Sequence, residues 1–105
     1  MKISNLFTNI PNPSKDEYSE NIIKNDKLKI QRIVSHGHTS PKEGWYEAAT
    51  EEWVILLEGA ATLSFKNGAD ISLSIGDYLN IPAHSEHKVS WTKPECNSVW
   101  LVVHY

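Results

Sequence analysis

The chain has 105 residues, 40% hydrophobic and 22% charged, enough for one core without a disulfide or metal as an obligatory staple. A formal net charge of −3 leaves no basic footprint for nucleic acid or an anionic membrane. No apolar run approaches the roughly 20 residues of a spanning helix, "MKISNLFTNIPNPSKDE" lacks the apolar stretch of a secretory signal, and a lone cysteine, Cys96, fits a reducing cytoplasm.

In chain order, "NPSKDEYSENIIKNDK" reads as a short helix. Ser14 and Glu17 have capping-box spacing, and Tyr18, Ile22 or Ile23 would dock on a larger body. From Leu28 onward the pattern is that of strands. "KLKIQRIV" alternates, with Leu28, Ile30 and Arg32 sharing a face. "EWVILLEG" is too short for a buried helix and rich in strand formers. "ATLSF" and "ADISLSI" flank Asn67-Gly68, a strong hairpin signal. "DYLNIP", "HKVSW" and "SVWLVVHY" complete seven or eight short strands, which predict an antiparallel barrel or sandwich. The division expected is an N-terminal extension with its helix over 1–27 and an all-β domain over 28–105.

Two stretches carry a family resemblance. Glu52, "WVILLE" and Gly59 form one; Gly76, "DYLNI", Pro82, Ala83, His84, "SE" and His87 form the other. They resemble the two conserved motifs of the cupin superfamily, with His84 standing where glycine is usual. The resemblance implies a jelly-roll β-barrel with a pocket inside. Alternation would set Glu52 inward beside Val54 and Leu56, and His87 inward beside Val89 and Trp91. A carboxylate among such neighbours needs a cation, a metal or hydrogen-bond donors.

In metal-binding cupins the first motif carries two histidines ahead of its glutamate. Here Trp45 and Glu47 fall at those places. His36, His38 and Glu43 reproduce the ligand spacing, but Thr50 stands where the motif requires its glycine. Gly37, Pro41 and Gly44 interrupt any strand there, so "HGHTSPKE" reads as a loop. The resemblance thus implies a pocket of Trp45, Glu47, Glu52 and His87, with His38 as a further candidate at the barrel mouth. Glu47, Glu52 and His87 would form a hard donor set suited to Mn²⁺, Fe²⁺ or Zn²⁺, with His38 a candidate fourth ligand. The competing arrangement has Glu47 in a rim salt bridge and Glu52 with His87 in a metal-free pocket.

Trp45 would give the pocket an aromatic wall, suited to a sugar-like or carboxylic small molecule. Three functions are open: a small-molecule binding module; a metal-dependent isomerase, epimerase or dioxygenase-type enzyme; or an interaction protein dimerising through the strand face of Trp53 and Ile55, with a vestigial pocket. The opposite face of the same strand, Trp53, Ile55 and Leu57, is also apolar. It must be covered, by the N-terminal helix or by a second copy in a homodimer.

Overall fold

A computed structural model describes residues 1–11 and 16–105 of the chain. Eight antiparallel strands run β1 Tyr18–Lys24, β2 Lys29–Ser35, β3 Glu52–Glu58, β4 Ala61–Phe65, β5 Asp70–Leu73, β6 Tyr78–Ile81, β7 His87–Thr92 and β8 Ser98–His104. They form a five-stranded sheet, β1-β2-β8-β3-β6, and a three-stranded sheet, β5-β4-β7. Between the two lies one core of Val54, Leu56, Leu63, Leu73, Trp100 and Val102 with their neighbours.

The alternation of β3 holds. Glu52, Val54 and Leu56 are buried inward, while Trp53, Ile55 and Leu57 remain half-buried on the outside, where Trp53 packs on Tyr78 with ring centroids 5.5 Å apart. The Asn67-Gly68 hairpin also forms. Phe65 and Ala69 close it through a backbone bond of 2.8 Å, and Gly68 takes a φ of 100° that disfavours other residues.

Among the described residues there is no helix, and so none long and apolar enough to cross a membrane. Residues 12–15 of the expected helix, Ser14 of its capping box among them, lie outside the described residues; Tyr18–Lys24 are β1, and a turn follows. β1 pairs with β2 from Tyr18↔Val34 to Lys24↔Lys29, through a bulge at Asn21/Ile23. "KNDK" supplies that hairpin's turn, because Asn25 Oδ1 accepts the backbone N–H groups of Lys27 at 2.9 Å and Leu28 at 3.0 Å. The physical reason is competition: a helix this short is marginal by itself, whereas the free edge of β2 offers a full ladder of backbone partners.

Parity along β7 is the second correction. His87 and Val89 face inward, but Trp91 does not. A bulge between the Thr62↔Trp91 and Leu63↔Val89 pairs leaves Ser90 unmatched. Trp91 is therefore turned to the surface, and Thr92 is buried in its stead, donating to the His38 carbonyl at 2.6 Å.

On the outer face Arg32 is buried beneath the N-terminal segment. Its Nη1 donates to the carbonyls of Leu6 at 2.9 Å and Thr8 at 2.8 Å, and its guanidinium also contacts the Glu20 carboxylate. The turn over residues 6–9, ahead of the stretch expected as a helix, is thus held on this face by one cation.

Candidate ligand cavity

Glu52 begins β3 opposite Ile81 on one side and His104 on the other. Starting β7, His87 reaches the same interior. The carboxylate Oε1 and the His87 Nε2 stand 3.9 Å apart, beyond hydrogen-bond reach, at the floor of an open cavity of about 510 Å³. A smaller void of about 70 Å³ shares both side chains and extends to Leu63 and Trp100.

The His87 ring is oriented by its other nitrogen. Nδ1 lies 2.7 Å from the Ser85 carbonyl oxygen, which can only accept, so Nδ1 carries a hydrogen. In the neutral ring Nε2 then carries a lone pair on the side of Glu52, which only the protonated carboxyl can meet as a donor. Tyr46 crosses the ring edge-on with centroids 5.3 Å apart, and the Tyr46 and His87 backbones exchange two hydrogen bonds of 2.8 and 2.9 Å. These contacts tie the loop before β3 to β7.

Glu52 is 8% exposed, and its Oε1 has no hydrogen-bond partner. Burial pushes its pKa up, against the downward pull of His87 and Lys29. The Tyr46 hydroxyl is raised by burial and by the Glu52 charge. His104, also on the cavity wall, is lowered by burial and by Lys29, and its Nδ1 meets Thr50 Oγ1 at 3.2 Å. Glu51, the neighbour of Glu52, turns to the opposite face. It accepts from the Ala83 N–H at 2.6 Å and Asn80 Nδ2 at 3.0 Å, which lower its pKa.

Of the residues expected from the sequence, Trp45, Glu52 and His87 line this cavity. Glu47 does not join them: its Oε1 stands at the exposed rim, 3.7 Å from His84 Nδ1. Nor does His38. It lies in the loop before β3, where its Nδ1 accepts the His36 N–H at 2.8 Å, while His36 Nδ1 meets Asn97 Oδ1 at 3.0 Å. The reason is backbone geometry: β2 ends at Ser35, and the Gly37 φ of 75° breaks the parity that would have carried His38 inward. His84 itself has a φ of 64°, the left-handed conformation that makes glycine usual at that place.

The donor set for a divalent metal is consequently short. Catalytic zinc and iron sites are built from three protein donors, and Glu52 with His87 supplies two. Among the described residues no group of three or more His, Cys, Asp or Glu side chains is arranged to hold a metal ion. The residues of the cavity do not fit a protein-held metal.

Several cavity residues were not anticipated. His104 follows Trp100 and Val102 at every second position, so its inward direction was open to a parity argument. Glu17 comes to the cavity through the unexpected β1, and Glu43 and Lys88 through the path of the loop over β7; no local pattern marks them.

Comparison with known proteins agrees with this architecture. The family model for the cupin domain matches residues 32–104. The chain belongs to the cupin family. A crystal structure from Ralstonia eutropha JMP134, described as a "putative mannose-6-phosphate isomerase", is 37% identical with a TM-score of 0.93, over 99% of this chain and 97% of that one. A cupin superfamily protein from Desulfitobacterium hafniense DCB-2 is 21% identical with a TM-score of 0.76, over 90% and 82%. An RmlC-like cupin with a double-stranded β-helix fold from Methanocaldococcus jannaschii is 16% identical with a TM-score of 0.72, over 90% and 84%. The last two speak for the fold alone. A search of curated proteins finds no match.

Proposed function

We propose that this cupin is a small-molecule binding module whose barrel cavity takes a sugar-like or carboxylic ligand on Glu52 and His87. The observation that carries the reading is the unsatisfied Glu52 Oε1, buried beside His87 Nε2 at the floor of an open cavity. A buried polar atom without a partner costs roughly 1–3 kcal/mol, and a ligand hydroxyl lying between the two groups would recover much of it. Trp45 and Tyr46 add aromatic surface above. We place the protein in a reducing cytoplasm, with its single half-buried thiol, Cys96. It works as a homodimer that covers the outer face of β3 near the exposed Tyr78.

A second reading, an isomerase or epimerase, is favoured by one feature: a carboxyl and an imidazole able to pass a proton at the cavity floor. The name of the Ralstonia relative points the same way. In an isomerisation Glu52 or His87 would take a proton from the hydroxyl-bearing carbon beside a carbonyl and return it to the former carbonyl carbon, the hydroxyl proton passing to the other oxygen. In an epimerisation the proton returns to the same carbon on its opposite face. Exchange of carbon-bound hydrogen for deuterium in heavy water separates an enzyme from a binding module.

The test is ligand titration against the parent, Glu52→Gln and His87→Ala, using tag-free protein with its metal content measured in the same samples. Each variant is expected to lose about tenfold to a hundredfold in affinity for a bound sugar, the worth of one or two buried hydrogen bonds. The parent is expected to hold no stoichiometric metal. Unchanged affinity in both variants would refute the site. Stoichiometric metal lost on substituting either residue would overturn the metal-free reading.

A further inference from the structure

The charges around the cavity narrow the ligand further than its shape does, provided that the cavity is the ligand site proposed above. Among the described residues three carboxylates line it: Glu43 and Glu17 at exposed positions and Glu52 at the floor. Glu17 also borders the inner void and accepts from Ser35 Oγ at 3.2 Å. Among the described residues, Lys88 is the one lysine on its wall, and its ammonium is already engaged. Nζ donates to the Lys42 carbonyl at 2.9 Å and sits 4.4 Å from the centre of the Trp45 ring. Among the described residues no arginine lines the cavity, and phosphate sites are ordinarily built from arginine, lysine or a run of backbone N–H groups.

An acidic rim alone would say little. The independent observation is Glu52, a residue 8% exposed on the cavity wall, whose Oε1 is itself buried and has no hydrogen-bond partner. The neighbouring Nε2 has a lone pair when His87 is neutral. Together they offer a hydrogen-bonding pair that can accept from, and with one proton donate to, an uncharged hydroxyl. An anionic group brought there would meet the buried carboxylate, and the lysine whose charge acts on Glu52, Lys29, is not among the residues lining the cavity. A fully charged ammonium would be attracted by the three carboxylates, against the cost of losing its hydration on the way down. Gln31 and Ser40 add neutral hydrogen-bonding groups on the wall.

We infer that the cavity selects an uncharged polyhydroxy compound and discriminates against its phosphorylated or carboxylate counterpart. In this respect the chain differs from the phosphosugar specificity that the name of its Ralstonia relative carries.

The experiment titrates the full chain with mannose, mannose 6-phosphate and glucosamine at low and high salt, reading NMR shifts of the Trp45, Tyr46 and His87 resonances. Mannose is expected to bind about tenfold or more tighter than its phosphate at low salt, with the gap narrowing in salt as the rim charges are screened. The gap should also narrow in the Glu17→Gln/Glu43→Gln variant, whose two substitutions lie at exposed positions. Equal or tighter binding of mannose 6-phosphate would overturn the charge assignment while leaving the cavity a ligand site. Glucosamine binding tenfold tighter than mannose would overturn it in favour of an organic cation. Unmoved resonances with all three would overturn the inference together with the sugar-site reading beneath it.

Discussion

Gly59→Ala is expected to destabilise the fold by about 3–5 kcal/mol, a large share of the roughly 5–15 kcal/mol that holds a domain of this size. Two costs add. Gly59 turns the chain from β3 into β4 with a φ of 86°, where an L side chain is strained by about 1–2 kcal/mol. A Cβ there would also lie 2.7 Å from Ser98 Cα and 2.8 Å from the Asn97 carbonyl oxygen, both backbone atoms at the entry to β8. Gly68→Ala is the matched control. Its φ is 100°, but no atom stands within 4 Å of an added Cβ, so it should show the conformational cost alone. Urea unfolding of the two variants separates the terms, and equal losses would refute the close approach of the β3–β4 turn to β8.

Glu52→Gln is expected to make the protein more stable relative to the parent as pH rises from 4 to 8. The carboxyl is raised in the folded state above its ordinary value of 4.5, chiefly by burial. Between that value and the folded one, the native protein binds more proton than the unfolded chain. Parental stability therefore falls with rising pH, by up to about 1.4 kcal/mol per pH unit, until the native carboxyl is ionised. Glutamine carries no such proton. Glu51, whose lowered pKa gives the opposite dependence, is common to both proteins and cancels in the difference. Loss of the carboxylate also acts on His87, and His87→Ala with the double variant isolates that coupling. A difference that is flat with pH, or that favours the parent at pH 8, would show Glu52 to be solvated or fully paired.

Much of the fold was legible because strand periodicity is a local signal. The alternation of "EWVILLE" set Glu52, Val54 and Leu56 inward, and Asn67-Gly68 marked its hairpin. The two glycine-bearing motifs brought Glu52 and His87 into one cavity. What failed depended on partners remote in sequence. Tyr18–Lys24 has a polar, helix-compatible pattern and becomes β1 because the edge of β2 is free. Trp91 leaves the interior through a bulge that only the pairing with β4 creates. Glu47 and His38 had the right chemistry at a plausible spacing, but the chain before β3 delivers them to the rim and to a loop. The same loop carries Tyr46, Glu43 and Trp45 to the cavity. A loop's course is fixed by what it crosses, here β7, and single-sequence patterns do not record that.

The most direct measurement is a nitrogen-15 NMR spectrum of the histidine side chains in the parent and in Glu52→Gln. His87 should carry its hydrogen on Nδ1 in the neutral ring, bound to the Ser85 carbonyl, and its Nε2 resonance should move in the variant while Nδ1 stays nearly in place. An Nε2–H tautomer, or an Nε2 signal indifferent to the substitution, would mean that the carboxyl and the imidazole do not address each other inside the barrel.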